Sequence, residues 1–214
     1  MKERVRVFLA DDHAMVREGL AALVNTDPAM EVVGQCGDGR EVLPQVQQIR
    51  LDVLILDITM PGLNGLDVCQ EVTLKCKGIA VLILTVHNNE QFVTRALQHG
   101  ASGYLIKDAI GEQLLKAIKT VHRGELYLDQ SIPKNVIRRA GCDQADPYDQ
   151  LTLREKQVLL LVAEGKTTRQ IADDLGLSFK TIDTHRCNMM HKLKIHDQYA
   201  LLKFALRRGI VALN

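Results

Sequence analysis

Five short runs rich in β-branched residues and leucine, Val5 to Leu9, Glu31 to Cys36, Asp52 to Leu56, Ala80 to Leu84 and Tyr104 to Ile106, recur through the first half of the chain. Each is followed by a stretch in which apolar residues repeat at three and four: Val16, Leu20, Leu23 and Val24; Phe92, Val93, Ala96 and Leu97; Leu114, Leu115, Ile118 and Val121. A strand that is apolar at every position must be covered on both sides, so the alternation predicts a five-stranded parallel sheet of doubly wound α/β type, with helices on both faces. Pro44 fits the second helix only if that helix starts close to it, because proline in a helix interior removes a hydrogen bond.

After Arg123-Gly124 the pattern loosens, with one short helix expected from about Pro133 to Arg139. The polar, Pro/Gly-marked stretch Ala140 to Asp149 reads as the end of a linker. This divides the chain into residues 1–124, a linker 125–149, and residues 150–214. Beyond the linker every segment is helical. Thr152 and Glu155 make a capping-box pattern, Gly165 stops the first helix, a second runs from about Thr168 to Leu175, and Ser178 caps a third over Phe179 to Leu193. Asp197 caps a fourth that ends near Gly209. Two helices joined by the tight Gly176-Leu177-Ser178 turn form a helix-turn-helix candidate.

Charge follows the same division. Lys and Arg number 16 against 20 Asp and Glu in residues 1–149, and 11 against 6 in residues 150–214, so an acidic module is tied to one able to approach a polyanion. Five cysteines at Cys36, Cys69, Cys76, Cys142 and Cys187 form no Cys-x-x-Cys pair, which argues against a zinc finger or a disulfide framework and for reduced, packing thiols. No apolar stretch is long enough to cross a bilayer, so no membrane association and a cytoplasmic location are expected.

The reactive side chains fall at one edge of the expected sheet. Asp11 and Asp12 follow strand one, Asp57 ends strand three, Thr85 ends strand four and Lys107 follows strand five. In an open parallel sheet of order 2-1-3-4-5 the binding crevice lies outside the carboxyl ends, between strands one and three. Three crowded carboxylates repel unless a cation sits among them, and an all-oxygen site suits Mg2+. Asp57 is then a candidate nucleophile toward phosphorus, with Lys107 and the Thr85 hydroxyl holding the non-transferring oxygens. The competing interpretation is local: Asp11 to His13 cap the first helix, Lys107-Asp108 is a solvated pair, and Asp57 opens a turn ahead of Pro61-Gly62.

Residues 1 to about 124 resemble the flavodoxin-like receiver domain of two-component response regulators, through Asp11-Asp12-His13, Asp57 to Gly65, Leu84-Thr85 and Gly103 to Asp108. The resemblance implies that Asp57 is the phosphoacceptor and that Asp12, Asp57 and the Thr59 carbonyl ligate Mg2+, with Asp11 holding the ion partly through water. It also implies that Tyr104 is an aromatic switch that turns inward as the Thr85 hydroxyl moves to the phosphoryl group. Val86 stands where receivers often carry a small residue, which narrows access for the phosphodonor. His87 and Thr59 are placed to tune hydrolysis of the phosphoryl group.

Residues 151 to 211 resemble the LuxR-type helix-turn-helix of the NarL/FixJ class, through Leu151 to Glu155, Val162 to Gly165, Gln170 to Ala172, Leu175 to Ser178, Lys180 to Ile182, His185 and Lys192-Leu193. Helical spacing puts Ile182, Met189 and Leu193 on one face of the third helix, and Lys180, Asp183, Thr184 and Cys187 on the other. Lys180, Arg186 and Lys192 are expected at DNA phosphates. Asp183, Thr184 and Cys187 occupy positions that by resemblance reach base edges, and Thr181 belongs to the same DNA-facing set. Lys often stands where this chain has Asp183. An acid there forfeits a phosphate contact and gains an acceptor for cytosine N4, unless it pairs with Arg186 or Lys180. Because one module buries little DNA, a homodimer is expected, with Tyr199, Leu202 and Leu206 as a pairing stripe or as part of the domain's own core. The implied partners are a cognate sensor histidine kinase, double-stranded promoter DNA and RNA polymerase.

The resemblance implies a regulator rather than an enzyme. A phosphohydrolase of the haloacid dehalogenase group would carry a second Asp two residues after the nucleophile, where this chain has Thr59. A protein-binding adaptor would not need the basic balance of residues 150–214.

Overall fold

The computed structural model describes residues 4–109, 111–133, 136–137, 147–208 and 210–211. The chain separates into two compact units, residues 1–142 and 143–214.

In the first unit β1 (Val5–Ala10), β2 (Met30–Cys36), β3 (Val53–Leu56), β4 (Ala80–Thr85) and β5 (Gly103–Ile106) alternate with α1 (Ala14–Val24), α2 (Gly39–Val46), α3 (Gly65–Lys75), α4 (Glu90–Gln98) and α5 (Glu112–His122). All strand pairs are parallel, in the order β2-β1-β3-β4-β5 with a sixth strand outside β5. Successive residues of each central strand point to opposite faces. Val7, Leu9, Val53, Ile55, Leu82, Leu84 and Leu105 meet α1 and α5 on one side. Phe8, Ala10, Leu54, Leu56, Val81, Ile83, Tyr104 and Ile106 meet α2, α3 and α4 on the other. This two-sided burial explains why the strands read as unbroken apolar runs.

Two expectations are corrected. The sheet has six strands rather than five: Tyr127–Leu128 forms β6, pairing Gly103 with Tyr127 and Tyr104 with Leu128. A two-residue strand carries no periodicity to read. Pro44 sits at the sixth position of α2, farther from the helix start than expected: α2 begins at Gly39 under an Asp38 cap and forms with the one hydrogen bond to the Arg40 carbonyl that proline cannot donate left out. Within the stretch assigned to the linker, Ile132 and Val136 are buried in the same cluster as Tyr104 and Ile106. The helix expected from Pro133 to Arg139 falls largely outside the described residues, as does Cys142.

The second unit is helical: α6 (Leu153–Ala163), α7 (Thr168–Leu175), α8 (Phe179–Leu193) and α9 (Gln198–Arg207), preceded by a 3-10 turn over Pro147–Gln150. The caps are those expected: a full Thr152/Glu155 capping box, Ser178 accepting from Thr181 N, and Asp197 accepting from Ala200 N. Gly176 takes left-handed φ 63° between α7 and α8, the conformation that lets the chain reverse in three residues. Tyr148, Val158, Leu159, Ile171, Ile182, Met189, Leu193, Leu201 and Ala205 form one buried core.

Candidate functional site: an acidic pocket and a helix-turn-helix

Parallel strand ends converge as required. Asp57 N donates to Ala10 O at 2.9 Å and Asp11 N to Cys36 O at 3.2 Å, so the turns after β1, β2 and β3 are stitched together by backbone. Asp11 and Asp57 are buried, at 2% and 5% exposure, whereas Asp12 is exposed. Lys107 Nζ bridges Asp11 Oδ2 and Asp57 Oδ2, each at 2.7 Å. Ligating atoms of Asp11, Asp12, His13 and Asp57 all lie within 4.8 Å of one another. Burial raises the Asp57 carboxyl above the usual range, with Lys107 opposing and Asp11 adding to the rise. Burial also opposes a charge on Lys107, but the two carboxylates outweigh it and hold the ammonium above its ordinary value.

The backbone beneath Asp57 leaves no room for side chains. Gly65 N donates to Ile58 O at 2.8 Å, and a Cβ on Gly65 would collide with the Asp57 carbonyl oxygen. A Cβ on Gly39 would likewise strike the Leu63 carbonyl. Asp57 Oδ1 accepts from Ile58 N at 2.7 Å, which leaves Oδ2 to face Lys107.

Helix capping does not account for the first acidic cluster. His13, the N-cap residue of α1, makes no side-chain cap bond. Its backbone N–H instead donates to Asp11 Oδ1 at 2.9 Å and its Nδ1 lies 2.6 Å from Asp12 Oδ1. Arg17 Nη1 donates to the Asp11 carbonyl at 2.5 Å. His13 belongs to the Asp11-Asp12-His13 motif but was not expected among the ligating residues, and Arg17 carried no signal in the sequence.

Thr59 and His87 stand at the rim, with Thr85 and Tyr104 beneath them. Thr85 and Tyr104 are fully buried. The Tyr104 hydroxyl donates to His87 O at 2.8 Å, so the ring points inward, and burial with the nearby Asp57 charge pushes the phenol well up. His87 Nε2 lies 3.1 Å from Thr59 Oγ1, and its ring stacks on Phe92 at 4.6 Å. Burial pushes the His87 imidazole below its ordinary value despite Asp57, favouring the neutral ring. Val86 is 64% exposed beside them.

In the second unit α8 buries Ile182, Met189 and Leu193 and exposes Lys180, Asp183, Thr184 and Cys187, the division expected from spacing. Asp183 makes no ion pair among the described residues, so the local pairing with Arg186 or Lys180 is not formed. Thr181 Oγ1 engages Ser178 Oγ at 2.8 Å, and Thr184 Oγ1 donates to Lys180 O at 2.9 Å. Two of the three expected phosphate contacts have partners inside the domain. Arg186 Nη1 donates to Thr168 Oγ1 at 2.5 Å, and Lys192 Nζ lies 2.7 Å from the buried Glu155 carboxylate. On α9, Tyr199 and Leu202 are exposed and Leu206 is half-buried, while Leu201 and Ala205 fill the core.

Comparison with known proteins agrees with this geometry. The response regulator receiver domain family matches residues 7–119, and the luxR family of bacterial regulatory proteins matches residues 149–205. The oxygen regulatory protein NreC of Staphylococcus carnosus (strain TM300) is 35% identical, with 97% of this chain and 99% of that protein covered. The chain is a response regulator of the NarL/FixJ class. Among solved structures, the regulator is similar to one of two RcsB dimers bound to two parallel DNAs, with a TM-score of 0.61, 25% identity, and 97% of this chain and 100% of that one covered. Another is RcsB of Salmonella enterica serovar Typhimurium bound to a promoter in the presence of a phosphomimetic, with a TM-score of 0.57, 26% identity, and coverage of 94% and 98%. The regulator has no described helix long and apolar enough to cross a membrane.

Proposed function

We propose that a sensor histidine kinase transfers a phosphoryl group to Asp57 in a Mg2+-dependent reaction, and that the modified regulator dimerises and binds promoter DNA in the cytoplasm, where it meets RNA polymerase. The carrying observation is the Lys107 ammonium shared by buried Asp11 and Asp57 at 2.7 Å each. Three clustered carboxylates face that single ammonium, an excess of negative charge that fits a divalent cation held by Asp11, Asp12, Asp57 and the Thr59 carbonyl. Bound Mg2+ would neutralise the pocket and orient the incoming phosphoryl oxygens. The Asp57 carboxylate attacks phosphorus as the bond to the donor nitrogen breaks, giving an acyl phosphate and returning the electron pair to the kinase histidine. Lys107 then moves its hydrogen bond from the carboxylate to a phosphoryl oxygen, the Thr85 hydroxyl takes another, and inward Tyr104 fills the space behind it. Residues 1–124 carry this receiver chemistry and 150–214 the DNA contacts. RcsB, a relative solved on promoter DNA with a phosphomimetic, supports the order of events. Mass, oligomeric state and selected-DNA binding, measured together after incubation with Mg2+ and a small phosphodonor, test the proposal. An unphosphorylated monomer that already binds specific DNA at full strength would refute it.

His87 is read as a lid on the acyl phosphate. Its neutral ring, fixed between Thr59 and Phe92, excludes water from one side of the pocket. His87→Ala is expected to shorten the acyl-phosphate lifetime about fivefold, equivalent to ~1 kcal/mol of barrier. Equal lifetimes would show that the ring does not guard the phosphoryl group.

Asp183 is read as a base-reading residue. It is exposed on the outer face of α8 without an ionic partner among the described residues, and a carboxylate in the major groove accepts from cytosine N4. Asp183→Ala is expected to relax discrimination at one base pair by about 1–3 kcal/mol. Uniform weakening across all variant sites would mean that Asp183 specifies no base. Tyr199 and Leu202, apolar and outward on α9, are the proposed pairing surface, with Leu206 at its margin. Lys180 is the proposed phosphate contact with no ion pair among the described residues, while Arg186 and Lys192 serve only after exchanging their internal partners.

A further inference from the structure

The chain leaving the phosphoacceptor unit is fastened to the strand that carries Tyr104 and leads into Lys107. Asp129 N donates to Tyr104 O at 2.9 Å, continuing the β5–β6 pairing by one residue. The Asp129 carboxylate, only 6% exposed, turns back onto the same strand. Its Oδ2 accepts from Ile106 N at 3.2 Å, while Oδ1 accepts from Ser131 N at 2.9 Å and Ser131 Oγ at 2.7 Å. One oxygen thus holds β5 at the residue preceding Lys107, and the other holds the outgoing chain. Ile132 and Val136, the next buried residues of that chain, pack in the cluster containing Tyr104, Ile106 and Phe92.

We propose that Asp129 is a positioning residue that couples the Lys107 end of β5 to the segment running toward the DNA-binding unit, so that phosphorylation is passed on through this clasp. The inference rests on the function proposed above. When Lys107 leaves the Asp57 carboxylate for a phosphoryl oxygen, the adjacent Ile106 amide moves with it, and a carboxylate bonded to both segments carries the displacement outward. A buried carboxylate suits the joint because it offers an acceptor on each side; Asn offers one carbonyl oxygen and sets its NH2 against a donor on the other. With two donors on the Ser131 side and one on the other, the Asn carbonyl stays with Ser131 and its NH2 faces the Ile106 amide, so Asp129→Asn opens the β5 half of the clasp while keeping the shape of the side chain.

The test uses the full chain with Mg2+ and a small phosphodonor, reading phosphoryl uptake by intact mass and DNA affinity with and without the donor. In Asp129→Asn, uptake is expected to match the parent while the phosphorylation-dependent gain in DNA affinity falls about tenfold. Ser131→Ala, which leaves the Ile106 bond intact, is expected to keep most of the gain. An unchanged gain in Asp129→Asn overturns the inference, as does a loss of uptake, which would place Asp129 in the pocket's own architecture. If the parent itself shows no gain, the proposed function fails instead. A measurement independent of the variant's folding is amide hydrogen exchange in the parent. Beryllofluoride, which mimics the phosphoryl group, is expected to alter protection at Ile106, Asp129 and Ser131, and unaltered protection there overturns the coupling.

Discussion

Asp57→Asn is expected to take up no phosphoryl group from a small donor, and to hold dimerisation and DNA affinity at their unphosphorylated levels whatever the donor concentration. The amide lacks the anionic oxygen that attacks phosphorus, so the loss is of the reaction itself rather than of a fraction of its rate. Folding should survive. The Asn carbonyl can still accept from Ile58 N, Lys107 retains Asp11, and one of two buried carboxylates that repel each other is gone. The whole phosphorylation-dependent gain, which for coupled sites typically amounts to about 5–150-fold, should vanish. Intact mass and calorimetric thermal unfolding, compared for parent and variant, check both parts. Stoichiometric uptake by the variant would relocate the acceptor to another residue.

The second large effect lies in the other unit. Glu155 Oε2 receives both Thr152 N, closing the capping box at the start of α6, and Lys192 Nζ at 2.7 Å, tying α6 to the end of α8. Glu155→Gln keeps an oxygen for the cap but leaves the partly buried Lys192 ammonium without its counter-charge. A loss of about 2 kcal/mol follows, below the usual value for a fully buried pair because Lys192 is a third exposed. For a unit of this size that is roughly a 10 °C fall in its unfolding temperature. Burial alone would raise the Glu155 carboxyl, but Lys192 and the Thr152 bonds outweigh it and hold it below its ordinary 4.5. The ionised form therefore contributes stability that is complete above that value and is lost as pH falls through the lower folded-state value. The gap between parent and Gln variant should narrow below pH 4.5, and a gap that persists unchanged in acid would assign the loss to packing instead of charge.

Both effects depend on features that were unequally legible in the sequence. The sheet edge was legible because a strand buried on both faces leaves an unbroken apolar run, and a reactive residue just after such a run must stand at its carboxyl end. Asp11, Asp12, Asp57, Thr85 and Lys107 followed from that rule alone. The helix ends of the second unit were legible because Thr152, Ser178 and Asp197 carry their own capping chemistry. Contacts made by side chains distant in sequence were not. Glu155 was readable as half of a capping box, but nothing in its neighbourhood points to Lys192, 37 residues on. Asp129 lay hidden because a two-residue strand has no period, and the polar residues around it look like those of any linker. Pro44 misled because an interior proline removes a single hydrogen bond, a cost that does not stop α2 from starting five residues earlier at the Asp38 cap. The inward Tyr104 depended on a backbone carbonyl, that of His87, which no side-chain pattern announces.

Gly65 pressed against the Asp57 carbonyl separates the fixed part of the pocket from the adjustable part. Any side chain at that turn would shove Asp57 out of register, so the floor of the pocket tolerates no larger residue there. Thr59, Val86 and His87 stand around the mouth on side chains that can be exchanged without disturbing that floor. Under the function proposed above, the lifetime of the phosphoryl group can therefore be retuned at these three positions while its point of attachment stays where it is.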